Sequence, residues 1–425
     1  MGLELESEIA EAEVARVTSP GGGTLAQLWR NRDFKIILLG QGATAFGDGV
    51  RNTALPLLVL ALTGSGVLMG VVGILQTLPD LFLGLVAGVY ADRHDRRRIM
   101  LWADLGRGAL TALVPISFGL GLPTMAVILI VTAPINVLRV FWLASWTSVM
   151  PNLVGRSLVA RAASLAEAFF SLAFLIGPAI AGVLVGLIGP APTLAVDALT
   201  FVASVASLLL IRRPLQSRTP GGEIDIVGDV VEGLRYVWGN STLRTIVAFW
   251  GAIQIVSGPV NVAIIFLLAQ DRGLPPEAVG ITLSAISAGY LTGALVAGAA
   301  SRQRLGLVML GGSALGALGV IAIGLVPWPL VLVPVAIAGL AEAFVLISYL
   351  TLRTTIPPDE LLGRVGSTAR TISVGLMPIG FAATGLLLDA VRGEATILVM
   401  GATLGVVTLA GAFAAPLRGA RVPAR

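Results

Sequence analysis

The chain has 425 residues; 56% are hydrophobic, 12% are charged and the mean hydropathy is +0.91. A soluble core of this length could not hide so much apolar surface, so lipid must solvate much of it. There are no cysteines, which excludes disulfides, thiol catalysis and Cys-ligated metal. The net charge of +4 is modest, and the placement of the arginines and the single lysine, Lys35, says more than their sum.

Residues 1–35 read as a cytosolic tail. It opens with Glu4, Glu6, Glu8, Glu11 and Glu13, has no apolar core like that of a secretion signal, and is expected to have a flexible joint at Pro20-Gly21-Gly22-Gly23. A bilayer crossing needs about 20 apolar residues. Long runs that break at Gly119-Leu120-Gly121-Leu122-Pro123 and Pro327-Trp328-Pro329 resolve into twelve predicted helices. Six lie over 36–62, 67–91, 99–121, 124–148, 163–187 and 191–211. Six more lie over 245–268, 277–300, 305–326, 329–352, 371–388 and 395–416. The domains are thus an N-terminal bundle over 36–211 and a C-terminal bundle over 245–416, with a short tail over 417–425.

Arginine placement orients the map. Arg272 and Arg392 fall on one side, Arg51, Arg107 and Arg139 fall within spans, and the other basic residues fall on the opposite side. That side is expected to be cytoplasmic and to hold both termini. The linker over 212–244 carries Ile226, Val230, Val231, Leu234 and Val237 at helical spacing, with Asp225, Asp229, Glu232 and Arg235 between them. This pattern predicts an amphipathic helix on the membrane surface.

The halves echo each other. Arg161 and Ser164 match Arg364 and Ser367, and Gly177 and Gly182 match Gly380 and Gly385, all at one offset of 203 positions. Met150-Pro151 and Ile356-Pro357 begin the two corresponding loops. The expected architecture is all-α: twelve transmembrane helices in two pseudo-symmetric six-helix bundles around a central site.

Residues 88–98 read Gly-Val-Tyr-Ala-Asp-Arg-His-Asp-Arg-Arg-Arg. Gly88, then Asp92-Arg93, then the basic cluster resemble the loop signature between spans 2 and 3 of the major facilitator superfamily. Asp95 stands where a glycine is usual. That variant resembles the macrolide-efflux and enterobactin-exporter branch, as do Leu28–Phe34, Gly47-Asp48-Gly49 and Asp197–Phe201. The resemblance covers the chain from about residue 25. It implies that Asp92 faces the N-terminal end of span 11, where the helix dipole favours an anion. With Arg93, Arg96 and Arg97, and with Asp104 as a nearby carboxylate, Asp92 would latch one closed state. The alternative is that these arginines only fix topology. Gly177-Pro178-Ala179-Ile180-Ala181-Gly182 resembles the antiporter motif of exporters, with Ala181 replacing a glycine; packing alone is the other reading.

A charge within a span costs at least ~2.5 kcal/mol on insertion scales. Asp48 and Arg51 lie three residues apart on one helix face. Glu342 is in span 10 and Arg139 in span 4, and the resemblance implies that spans 1, 4, 7 and 10 line the central cavity. Asp48, tuned by Arg51, is the first candidate for proton coupling, and Glu342 the second. A static Asp48–Arg51 pair is the alternative. Asp80, after Pro79, is a further coupling candidate. Arg139, Asn136, Trp142, Gln254 and Asn261 are candidate cavity contacts; the amides could instead be helix-to-helix glue and the tryptophan packing.

The only histidine, His94, lies in a loop, so an intramembrane histidine relay is excluded. No phosphate-binding Gly-Lys loop exists, so ATP hydrolysis is not expected, nor is any enzymatic activity, cofactor or metal. The basic loops lack the aromatic interleaving of a nucleic-acid surface. The expected function is secondary export of small amphipathic compounds by proton antiport, from one monomeric chain in a bacterial inner membrane. Siderophore or lipid-like cargo, an uncoupled facilitator or importer, and a receptor that lost transport are the alternatives.

Overall fold

The computed structural model describes residues 25–147, 149–155, 158–215, 226–297 and 304–422. Among the described residues the secondary structure is helical, with no strand. Spans 1 to 6 are Arg32–Thr63, Gly66–Arg93, Arg96–Gly119, Thr124–Thr147, Val159–Ile188 and Pro190–Leu210. Span 7 begins as Ser241–Ser257 and continues as Val260–Ile265 and a π-helical turn, Phe266–Asp271. Spans 8, 9 and 10 are Pro276–Ala297, Leu305–Leu325 and Leu332–Thr355. Span 11 starts at Leu362–Gly375, and Met377–Phe413 carries its second part and span 12.

Ten of these segments are long and apolar enough to cross a bilayer. One of the ten runs over 55 residues and breaks at Arg392, where φ is 69°, so it crosses twice. Span 1 falls short on hydropathy because Asp48, Arg51 and Asn52 sit in its middle, yet it is 32 residues long and packed between spans 5 and 6. Twelve crossings result among the described residues.

Local chemistry sets the helix ends. Asn31 accepts from the Phe34 amide, Ser65 from Leu68 and Asn240 from Leu243, each satisfying a first-turn donor. Asp95 caps span 3 by accepting from the amides of Arg97 and Arg98. Gly64 ends span 1 in the left-handed region at φ 62°, which a glycine adopts without strain. Pro56, Pro79, Pro115, Pro134 and Pro178 lie inside helices of the first half, where each removes a backbone donor.

Within the first half, span 1 packs on spans 5 and 6, and span 4 on spans 2 and 3. In the second half span 10 packs on spans 8 and 9. Spans 5 and 8, and spans 2 and 11, join the halves. Those joints are tight at one end. Gly70 faces the Phe381 carbonyl at 2.5 Å from where a Cβ would stand, and Gly182 faces that of Pro276 at 2.5 Å. Asp389 of span 11 accepts from the amides of Gly66 (2.5 Å) and Val67 (3.1 Å) and from the Ser65 hydroxyl (2.8 Å), so it caps span 2 across the joint.

Two elements differ from the sequence expectation. Span 7 is not continuous, because Pro259 has no N–H to carry the ladder through. Span 11 starts nine residues before the apolar run does, since Arg364 and Arg370 interrupt hydropathy but not helical hydrogen bonding. The amphipathic linker helix forms over Ile226–Gly239 and leaves Val231, Leu234 and Trp238 exposed. It packs on Leu362–Gly375, with Gly233 against the Arg364 carbonyl, Glu232 paired with Arg364, and Val237 buried. Asp225, most of the acidic tail and the last three residues lie outside the described residues. In the terminal segment, Ala415–Arg418 is helical, and the Ala420 carbonyl accepts from the Gly306 amide.

Candidate functional site: a charged cluster on a central cavity

Gly47-Asp48-Gly49 shows why span 1 can carry a charge. A Cβ on Gly47 would stand 2.3 Å from Thr200 Oγ1 and 2.6 Å from Asp197 Oδ1 of span 6. A Cβ on Gly49 would stand 3.1 Å from the Ala173 carbonyl of span 5. The two glycines let span 1 nest between its neighbours while Asp48 lines the cavity, its side chain 21% exposed.

Asp48 accepts from two guanidiniums. Arg51 Nη2 lies 2.5 Å from Oδ1, and Arg107 Nη2 of span 3 lies 2.9 and 3.1 Å from the two oxygens. Arg51 Nε also faces Asp197 Oδ2 at 3.7 Å, and Arg107 Nη1 faces Asp104 Oδ1 at 3.6 Å. Ser204 donates to Asp104 at 2.5 Å and accepts from Gln41 at 2.9 Å. The Arg107 guanidinium rests over the Phe201 ring at 4.6 Å. Asp104 and Asp197 are fully buried, so removing either arginine would strand a carboxylate.

The cavity beside Asp48 holds ≈ 590 Å³. Spans 1, 3, 4 and 5 form one wall, with Arg139, Trp142, Trp146 and Phe170. Spans 8 and 10 form the other, with Tyr290 and Glu342. Trp142 stacks on Trp146 at 5.7 Å. The size and the mixture of aromatic and polar lining suit a drug-sized organic molecule.

The other predicted residues fall as follows. Arg139 pairs with Asp80 and donates Nε–H to Asn136 at 3.2 Å. Asn136 is buried and donates to the Thr132 carbonyl, so it positions Arg139 rather than lining the cavity. Asp80 does not line the cavity either; it also takes Arg370 of span 11 at 3.2 Å, bridging the halves. Gln254 sits 3.8 Å from the Met377 sulfur, and Asn261 is exposed after the span 7 break. Neither lines the cavity. Gln254 precedes the span 7 break and Asn261 follows it.

In the loop after span 2, Asp92 pairs with Arg96 at 3.0 Å, and Arg97 donates to the Leu209 carbonyl of span 6 at 2.8 Å. Arg93 is exposed, and nothing lies within 4 Å of a Cβ on Gly88. Asp104 does not join this group. It lies eight residues beyond Arg96, about 12 Å deeper along the helix, and belongs to the central cluster. In the antiporter-like motif, Gly177 meets the backbone of Gly49, 3.0 Å from where its Cβ would stand. Gly182 meets Gly280 of span 8 at 3.1 Å. Ala179 donates its amide to Ser284 of span 8 at 3.0 Å, and Pro178 opens the helix at that point. The motif therefore touches both the Asp48 helix and the opposite half.

The profile of the transmembrane secretion effector family matches residues 23–420. The chain belongs to that family. It is a multi-pass membrane transporter of the major facilitator superfamily, acting on small molecules, and not an enzyme.

Two efflux proteins resemble it along most of their length. The chain is 28% identical over 393 residues to the multidrug efflux pump Tap of Mycolicibacterium fortuitum, covering 90% of this chain and 96% of that one. It is 25% identical over 368 residues to macrolide efflux protein A of Streptococcus pyogenes, covering 84% and 89%. Among solved structures, the nucleoside transporter NupG matches with a TM-score of 0.73 at 14% identity, covering 90% of this chain and 98% of that one. A bacterial homologue of the lysosomal transporter Spinster, inward-facing and unoccupied, matches at 0.71 and 14%, covering 92% and 98%. These two establish the fold.

Arg107, Asp197, Gln41 and Ser204 belong to the cluster without having been singled out as members by sequence. Asp197 stood out in the Asp197–Phe201 resemblance and Arg107 as an arginine within a span, but their pairing depends on which helices touch.

Proposed function

We propose that this chain is a secondary exporter of small amphipathic compounds, exchanging them for protons across a bacterial inner membrane. The observation that carries the reading is the imbalance of the central cluster. Three carboxyls, Asp48, Asp104 and Asp197, share two guanidiniums, Arg51 and Arg107. One bound proton balances that count, and Asp48 is the member that touches the cavity. The relatives' names, a multidrug efflux pump and a macrolide efflux protein, support drug-like cargo and export.

The arginine-rich loops orient the chain with the 92–98 loop in the cytoplasm. The tight joints at Gly70 and Gly182 then lie on the outer side, and the cavity opens inward. Cargo enters from the cytoplasm or inner leaflet and rests among Trp142, Trp146, Phe170 and Tyr290, facing Glu342. Rocking of the two halves exposes it outward. A proton arriving at Asp48 from outside loosens its hold on Arg107 and Arg51 and favours the return. Arg139, held by Asp80, sits at the cavity edge within reach of that change. The functional unit is one chain.

The test is proton movement in proteoliposomes with an imposed pH gradient, measured against a panel of amphipathic compounds. Compound-dependent proton flux is expected. Compound movement that ignores the gradient would identify a facilitator, and no movement across the panel would contradict amphipathic cargo.

A further inference from the structure

A second cavity, ≈ 540 Å³, lies on the other side of the first half, between the ends of spans 2 and 3 with span 4 as its floor. It is separate from the central cavity. Span 4 lends Leu138 and Phe141 to it, and Arg139, Trp142 and Trp146 to the other, on a different helix face. Its walls are Val86 and Tyr90 on span 2 and Ile99 and Trp102 on span 3. Tyr90 meets Phe141 edge-on at 5.4 Å and stacks on His94 at 3.9 Å.

The residues around it are apolar and uncovered. Phe82 is 66% exposed and Trp102 69%, and Val86, Tyr90 and Leu105 are exposed too. In a bilayer that face meets acyl chains, with the aromatic side chains near the interface. The mouth is basic. Asp92 is paired with Arg96, and Arg97 turns one donor to the Leu209 carbonyl, away from the cavity lining. Asp95 uses one oxygen to cap the helix and lies 3.9 Å from Arg98 with the other. Arg98 lines the cavity, and its side chain is 84% exposed, so most of its donors face outward.

We propose that this cleft holds an anionic phospholipid. Its phosphodiester pairs with the Arg98 guanidinium, and one acyl chain lies in the cleft against Trp102, Val86 and Phe141. Charge complementarity selects the headgroup, since a guanidinium fork matches phosphate oxygens and the loop over 92–98 carries four arginines against two aspartates. The apolar walls select a lipid over a soluble phosphate, which has nothing to place beside Trp102 and Phe141.

The experiment uses the full chain in nonionic detergent and quenches tryptophan fluorescence with phosphatidylglycerol brominated on its chains. Brominated phosphatidylcholine and water-soluble glycerol phosphate are the comparisons. Saturable quenching by phosphatidylglycerol at lower concentration than by phosphatidylcholine is expected, with that component lost in Trp102→Phe. Arg98→Gln should weaken the phosphatidylglycerol component about fivefold and leave phosphatidylcholine unchanged, with Arg98→Lys in between. Glycerol phosphate should not compete. Equal quenching by the two lipids, or an Arg98→Gln affinity equal to the parent's, would overturn the proposal. Survival of the preferential component in Trp102→Phe would place the lipid elsewhere and also overturn it. Competition by glycerol phosphate would show that a phosphate site, and not a lipid site, had been found.

Discussion

Asp80 of span 2 and Arg370 of span 11 meet at 3.2 Å, although they belong to different halves of the molecule. The same carboxylate pairs with Arg139, which lines the central cavity. One acid thus touches both the cavity edge and the joint between the bundles.

Neutralising it should loosen that joint. Arg370 is half exposed, so the cross-half pair is worth about 1 kcal/mol or less after solvent screening. Asp80→Asn should therefore shift the balance between access states by up to about fivefold. Distances between spin labels on spans 2 and 11 would read this, and the absence of native cysteines makes labelling clean. Unchanged distances together with parental transport would remove the bridge from the mechanism.

Asp389 should act at the other end of the same pair of spans. It accepts from two amides and one hydroxyl at the start of span 2. Losing a charged cap costs about 1 kcal/mol. Asp389→Ala should favour the state open at that end, so that a cysteine placed at Val67 reacts faster with an impermeant thiol reagent. Slower or equal reaction would contradict this.

The span 5 motif gives a steric prediction. A Cβ at Gly182 would stand 2.5 Å from the Pro276 carbonyl, which is backbone and cannot swing aside. Gly182→Val should hold spans 5 and 8 apart and reduce export at least tenfold, while the protein still inserts and folds. Crosslinking between cysteines at Ala179 and Ser284, whose amide and hydroxyl groups lie 3.0 Å apart, should fall in parallel. Normal crosslinking and normal export in that variant would refute the close-approach role.

Much of this was legible because lipid imposes simple rules. Twelve crossings follow from apolar run lengths and breakers, and the Asp48–Arg51 contact follows from a three-residue step on one helix. Arg107 illustrates what was not. It lies 59 positions from Asp48, and only the packing of span 3 against its neighbours brings them together. Asp104 was assigned to the loop by proximity in sequence, yet two helical turns carried it into the cluster. The start of span 11 was hidden because hydropathy registers Arg364 and Arg370 as interruptions, while the backbone ladder does not. Asn261 follows the span 7 break at Pro259, which interrupts the helical spacing that placed it on the cavity.

The proposed coupling runs through Asp48 and its hold on Arg51 and Arg107. The direct measurement is compound-driven proton release in proteoliposomes, comparing the parent with Asp48→Asn, with cargo binding recorded in detergent. Asp48→Asn should still bind cargo within about tenfold but release no protons and no longer concentrate cargo against its gradient. An Asp48→Asn protein that exchanges protons and concentrates cargo as the parent does would contradict it.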